Sequence, residues 1–386
     1  MIAASLRLAL GTTVALGFAR FGYGLVLPAM RVELGWNLAE AGLLTTANGL
    51  GYLLGAATAA TAVRRWGSTG TFRSGMAVCS LSLAATAIGG GFGVVAAARV
   101  VAGFGGALVF VTGGVIAARN AERTGSTLPI AVYFAGTGVG IAVSGILIPA
   151  LLAGAPGRWP LAWLVLAAAS AVSTAASWGA ARTTDPLPAP RGERSRRSLA
   201  PLWRPAVAYL LFAAGYIAYI TFLSTTLVGR GAGSVEVAFT WALLGAAVVA
   251  APWMWRGVSA ASPPGRVLAM LLAVITAASC LALVNSGGPA VALASATAYG
   301  AAFMAVPATV TALVRSATPP EDWSRALGSF TVLFAVGQTA GPWVAGAIAD
   351  RTGPNAPLVW TAALCALGAL VAAGGSADRP ALAERA

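Results

Sequence analysis

The sequence has no histidine and no lysine, so all 24 of its basic residues are arginine. Without histidine there is no imidazole proton relay and no histidine-ligated metal. The three cysteines, Cys79, Cys280 and Cys365, each lie inside an apolar run and read as small hydrophobes rather than a disulfide set or a metal site. Charged residues of both signs make up only 9% of the chain, against about 25% in a soluble domain. The 11 acids, among them Glu33, Glu40, Glu122, Glu236 and Asp350, fall at the ends of apolar runs, between them or in the tail, and none sits mid-run. A carboxylate relay buried in a membrane is therefore not visible. No Gly-x-x-x-x-Gly-Lys loop is present, which excludes direct drive by ATP, and no catalytic triad or metal cluster is seen, which argues against an enzyme.

What fills the chain is apolar. Hydrophobic residues account for 58% of the 386 positions, and runs of about 20 residues, each long enough to cross a bilayer, recur from end to end. The first six expected spans are 8–30, 40–62, 74–92, 94–118, 128–152 and 159–181. The second six are 206–228, 236–255, 266–286, 289–314, 327–349 and 356–374. The N-terminal run continues through Arg20 to Pro28 and reads as the first span, not as a cleaved signal. Between the two sets lies a polar stretch, 182–204, rich in proline (Pro186, Pro188, Pro190) and arginine (Arg191, Arg194, Arg196, Arg197), which reads as an exposed linker. The expected organisation is thus an N-terminal six-helix bundle over 1–181, a linker over 182–204 and a C-terminal six-helix bundle over 205–386.

The formal charge of +13 would suit a nucleic-acid binder, but the arginines follow topology instead. With the N-terminus inside, 18 arginines fall on inner segments and 4 (Arg31, Arg158, Arg230, Arg351) on outer ones, with Arg20 and Arg99 within spans. That asymmetry is the positive-inside pattern with both termini cytoplasmic. The halves also echo each other. An offset of 201 residues carries Gly136, Gly140 and Gly145 onto Gly337, Gly341 and Gly346, and Trp159 onto Trp360. Parallel repeats related by an axis along the membrane normal give this kind of self-similarity.

Several segments then point to one family. The stretch ARFGYGLVLPAMR (residues 19–31), with AEAGLLTTANGLGYLLGA after it (residues 39–56), is similar to the YbfB-like (YbfB/YjiJ) branch of the major facilitator superfamily. Arg99-Val-Val-Ala-Gly103-Phe-Gly105 resembles that superfamily's Arg-x-x-x-Gly motif, and Gly337-Gln-Thr-Ala-Gly341-Pro342-Trp-Val-Ala-Gly346 resembles its Gly-x-x-x-Gly-Pro antiporter motif. In the fifth span Ile141 stands where that motif has proline. The resemblance implies an all-α polytopic membrane protein, twelve transmembrane helices forming two pseudo-symmetric six-helix bundles. It also implies that the first, fourth, seventh and tenth spans line a central cavity. The loop between the second and third spans departs from the family. It reads Arg64-Arg65-Trp66-Gly67, without the acidic partner of the usual cytoplasmic charge lock, and the matching Trp255-Arg256-Gly257 is degenerate too.

Arg20, near the middle of the first span, is the sharpest candidate. An unpaired arginine there costs about 2.5–3.5 kcal/mol on insertion scales, so it must meet a cavity or a partner. Two roles are open: binding an anionic group of a substrate, bidentately if it is a carboxylate, or a structural bond to helix carbonyls or Asn48. Arg99 is open between conformational or proton coupling and snorkelling to the interface. Thr45, Asn48 and Tyr52 share a helical face that suits either a cavity wall or helix–helix bonding. Tyr209, Phe212, Tyr216 and Tyr219 form a stripe on the seventh span, with Tyr216 and Tyr219 mid-span. Tyr23, Tyr299 and Phe303 are further substrate candidates. Gly103, Gly341, Pro342 and Gly346 read as hinge and packing positions, with Gln338 the polar side chain beside them that can face a pore.

The expected function is a secondary transporter in the bacterial inner membrane, moving a small anionic or neutral organic solute by alternating access. Efflux of hydrophobic compounds and a non-transporting receptor or scaffold are the alternatives. The expected partners are the lipid bilayer, a small-molecule substrate and, where coupling is used, a co-transported proton. No cofactor, metal or nucleic acid is required, and a monomer is expected.

Overall fold

The computed structural model describes residues 2–182, 199–284, 288–319 and 322–374, and their regular structure is helical. Besides the short 3-10 turns Pro156–Arg158 and Ala200–Leu202, eleven longer helical elements follow in chain order among the described residues. They are α1 (Ile2–Leu34), α2 (Leu38–Ala87), α3 (Phe92–Thr124), α4 (Leu128–Leu152), α5 (Trp159–Ser177), α6 (Trp203–Gly229), α7 (Ser234–Ala261), α8 (Pro264–Ala282), α9 (Gly288–Ala317), α10 (Trp323–Thr352) and α11 (Ala356–Gly374). Ten helical stretches among the described residues are long and apolar enough to cross a membrane; α2 is not among them. In lipid a spanning segment must satisfy its backbone internally, which is why helices alone are seen. Large apolar side chains such as Leu81, Val172 and Leu370 stand exposed on their outer faces. Most of the expected linker, residues 183–198, lies outside the described residues.

Two elements differ from their expected spans. The expected spans 40–62 and 74–92 are two helices that meet without a loop inside Leu38–Ala87, separated by the non-helical backbone of Gly67 (φ 70°, ψ 167°). That conformation is accessible to glycine at little steric cost, so one residue turns the chain where a loop was expected. Conversely, the single span 289–314 is broken at Met304 into Gly288–Phe303 and Ala305–Ala317. Pro307 supplies the cause, since its ring excludes a regular bond to the carbonyl of Phe303 four residues earlier.

Packing runs on small residues, as expected where lipid removes any hydrophobic drive between helices. On α2, Gly42, Thr46 and Gly49 share the face toward α10. A Cβ on Gly42 would strike the Pro342 carbonyl, the Thr46 hydroxyl donates to the Thr339 carbonyl at 2.5 Å, and Gly49 abuts Thr339. Farther along the same seam Gly346 abuts the Leu38 carbonyl, and the Asp350 carboxylate accepts the backbone N–H groups of Leu38 and Ala39, each at 2.8 Å. Those donors are orphans of the α2 N-terminus, and an anion is favoured there. The α2 N-terminus also carries its own capping box, Asn37 with Glu40. On the opposite face of α2, Gly51 and Gly55 fit against Val100 and Phe104 of α3, while Gly103 fits against Asn48. A third seam joins α4 to α7, where Gly138 and Gly245 face each other and Gly145 meets Trp241. Cys79 and Cys365 are buried, Cys280 is exposed, and all three are free thiols.

The glycine seams generate a paired prediction. Gly51→Ala places a methyl against the Val100 carbonyl and should lower the melting temperature of detergent-purified protein. Gly93→Ala, on α3 with open space around it, should leave it unchanged or raise it, since alanine is favoured in a helix by about 1 kcal/mol. Thermal melts followed by tryptophan fluorescence check both.

Candidate functional site

The site is built on a distortion of α1. From Thr13 to Phe21 the helix winds as a π-helix, and the N–H of Gly22 bonds the carbonyl of Gly17 five residues back. Extended π-helix is rare and tends to accompany function. Its causes are contacts with α4. The hydroxyls of Thr12 and Thr13 donate to carbonyls of α4, those of Tyr133 and Gly136, the latter at 2.8 Å. Gly17 and Gly140 touch through their Cα atoms, with no room for a side chain on either. The tight α1–α4 contact pulls that face of α1 out of the α-helical path.

Arg20 emerges from this segment into the protein interior and is 7% exposed. Its Nη2 donates to Gln338 Oε1 of α10 at 2.6 Å and to the Tyr216 hydroxyl of α6 at 3.1 Å. The Tyr216 hydroxyl donates in turn to Gln338 Oε1 at 3.5 Å. The guanidinium carbon lies 5.3 Å from the ring centre of Tyr52 and 5.9 Å from that of Phe21, within range of a cation–π attraction. Among the described residues the hydrogen-bond partners of Arg20, Tyr216 and Gln338, are neutral. Two buried donors in this cluster have no partner among the described residues, Arg20 Nε and Gln338 Nε2.

Aromatic planes lead away from Tyr216. Phe212 stacks on it at 4.9 Å, Phe334 at 5.6 Å and Phe303 at 6.2 Å, all within 24° of parallel. Tyr209 continues the series against Phe212 and Phe334. These are offset stacking distances. Phe303 also closes edge-on against Phe21 of α1 at 5.9 Å.

Arg99 is placed differently. It is 1% exposed, its Nη1 donates to the Ala19 carbonyl at 2.7 Å and its Nη2 to the Arg20 carbonyl at 3.5 Å, and it lies over the rings of Tyr23 and Trp163. It holds the backbone of the π-helical segment, not a cavity or the membrane interface. Thus one arginine braces the main chain from which the other projects.

The remaining sequence candidates divide by contact. Arg20, Tyr52, Tyr216, Gln338 and Phe303 come together. Tyr299 donates to the Tyr216 carbonyl at 2.5 Å and stacks on Tyr219 at 3.8 Å, and Tyr219 bonds the Ser295 hydroxyl at 2.7 Å, so these two brace α6 from α9. The Tyr23 hydroxyl donates to the Ala41 carbonyl at 3.0 Å. Asn48 is bonded to the Arg99 carbonyl at 3.1 Å rather than to Arg20. Thr45 meets Thr221 at 3.3 Å. Gly103, Gly341 and Gly346 lie in backbone contacts with Asn48, Ala214 and Leu38, and Pro342 carries its carbonyl against Gly42. Phe334 and Phe21 join the cluster without having been singled out; as phenylalanines in apolar spans they carry no sequence signal that separates a site from packing.

Comparisons place this arrangement among known proteins. A family described as "Uncharacterised MFS-type transporter YbfB" matches residues 12–374. No curated protein matches the sequence. Among solved structures, a variant of the nucleoside transporter NupG superposes with a TM-score of 0.71 at 14% identity, covering 96% of this chain and 99% of that one. A variant of the peptide transporter POT gives 0.74 at 14% identity, over 97% and 94%. A D-xylose–proton symporter gives 0.74 at 13% identity, over 96% of each chain. At these identities the likeness is one of fold.

The role of Arg99 as a backbone brace is testable. Arg99→Met strips donors from the Ala19 and Arg20 carbonyls, and a buried acceptor left unpaired costs about 1–3 kcal/mol. A clear fall in melting temperature is expected, with Arg99→Lys restoring only part of it because an ammonium lacks the planar fork. An unchanged melt for Arg99→Met would contradict the assignment.

Proposed function

The chain belongs to the YbfB-type family of major facilitator transporters, and on that premise we propose that it carries a small anionic or neutral organic solute across the bacterial inner membrane by alternating access. In this reading α2 supplies two spans on either side of Gly67, giving twelve in all. The halves 1–181 and 205–386 rock about a central site, and both termini are cytoplasmic, as the arginine asymmetry supports.

One observation carries the reading: Arg20 of the first half is bonded to Tyr216 and Gln338 of the second. A cation buried mid-span and held only by neutral partners from the opposite half is suited to take an anion and to report it to both halves. The Asp350–Leu38 contact and the Gly346–Leu38 and Gly42–Pro342 approaches tie the halves on the side of the Leu34–Leu38 turn. That side is extracytoplasmic in the proposed topology, so the structure corresponds to a state closed to the outside. Asp350 serves as the acidic latch of that state, whereas the loop at Arg64–Gly67 lacks the acid for a latch on the other side. Among the described residues no acid lies mid-span, the buried Asp322 standing at the start of α10, so any proton taken up enters through Asp350 or Glu40 near the surface or with the substrate itself. The stacked rings beside Tyr216 also favour a second reading, efflux of hydrophobic compounds, in which Arg20 is dispensable.

Substitution at Arg20 separates the two. Arg20→Ala should insert in the membrane yet lose uptake or exchange of anionic solutes in proteoliposomes by at least tenfold, matching the loss of a charge-assisted contact of about 1.5–3 kcal/mol. Retained exchange of hydrophobic cations with unchanged kinetics in that variant would favour efflux.

A further inference from the structure

We infer that the solute is an aromatic monocarboxylate, and that the Gln338 side chain occupies part of the position its carboxylate takes. The inference rests on the transport reading above and names the substrate of the same site.

The guanidinium supplies the first argument. Its Nε–H and one Nη–H lie side by side and match the two oxygens of a carboxylate. On Arg20 that edge is half used. Nη2 is bonded to the Gln338 amide oxygen at 2.6 Å, while Nε is buried and has no partner. An amide has one oxygen to offer, so it can fill one tooth of the fork and leave the other bare. A carboxylate fills both. Gln338 Nε2 is unpartnered as well, and the Tyr216 hydroxyl, which accepts from Nη2, donates its own proton to the same Gln338 oxygen. Once the Gln338 oxygen is displaced, the cluster presents donors alone, and a ligand end made of acceptors completes it.

Charge and body follow. Arg99 is turned to the Ala19 and Arg20 carbonyls, which leaves one cation at the fork and favours one negative charge over two. Beyond Tyr216 the neighbouring planes are Phe212, Phe334 and Phe303. Phenylalanine has no group for a sugar or ribose hydroxyl, whereas a flat ring continues an offset stack. Displacing Gln338 also cuts the bond between α1 and α10, so arrival of the solute loosens the tie between the halves.

The experiment uses purified full-length protein with benzoate as probe and benzamide, phenyl phosphate and cyclohexanecarboxylate as comparators. Binding is read from shifts in melting temperature and exchange from counterflow in proteoliposomes. Benzoate should bind about tenfold or more tightly than benzamide, as expected when a charge-assisted pair is lost, and more tightly than the other two. Gln338→Leu should tighten benzoate about tenfold, since no existing bond must be broken. Gln338→Glu places a carboxylate on the fork within the chain, and should raise the melting temperature while abolishing the response to benzoate. Equal binding of benzamide, preference for phenyl phosphate or cyclohexanecarboxylate, or a Gln338→Glu protein that still responds to benzoate overturns the inference. Counterflow of sugars, nucleosides or aliphatic acids without any benzoate response overturns the aromatic carboxylate and leaves transport standing. Benzoate binding with the expected preferences but no counterflow of any solute supports the ligand and overturns transport.

Discussion

A positive charge buried among neutral groups is the constraint on which the rest depends. Arg20 is removed from water, is bonded to an amide oxygen and a phenol, and retains an unpaired N–H. A charge in such surroundings is expensive unless it is well paired, and neutral hydrogen bonds pair it only in part. The protein therefore holds a strained cation at the point where α1, α6 and α10 meet. Much of the surrounding architecture serves to keep it there. The π-helical winding of α1 sets its direction, the Thr12, Thr13 and Gly17 contacts with α4 produce that winding, and Arg99 ties down the two carbonyls next to it.

In the proposed transport cycle the same constraint gives a physical route to coupling without histidine and without a mid-span carboxylate among the described residues. Opposite charges commonly trade places with protons in membrane transporters. Here the exchangeable partner is an amide side chain on the facing helix. Pro342, four residues beyond Gln338, cannot donate to the Gln338 carbonyl, and Gly341 and Gly346 flank it in close backbone contacts. Gln338 thus sits on a locally weakened stretch of α10 that ends in Asp350, whose carboxylate caps α2. A change at the fork is mechanically connected to the closure at the Leu34–Leu38 end through one helix.

Much of this was legible in the sequence, and the limits were physical. Span positions follow from apolar length, because lipid imposes a simple rule, and the small-residue seams at Gly51, Gly103, Gly341 and Gly346 follow from the need for close backbone approach. That the chain turns between these two spans at Gly67 alone was not legible, since it depends on one dihedral pair rather than on composition. Nor was the π-helix, which arises from tertiary contact with Gly140. Arg20 declares itself by its cost, but its partners do not. Asn48 is the amide the sequence offers as a partner for Arg20, but the packing of α2 against α3 bonds it to the Arg99 carbonyl and leaves Gln338 for Arg20.

The most direct measurement is the distance between the ends of α1 and α11 beside the Leu38–Asp350 contact. Spin labels at the exposed positions Val32 and Val359, in a Cys280→Ser background, report it by pulsed electron spin resonance in lipid nanodiscs. The account predicts a single short distance without ligand and a longer population on adding benzoate or on Arg20→Ala, which breaks the bond to Gln338. A distance that stays the same in both cases would contradict the claim that the Arg20–Gln338 contact holds α1 against α10.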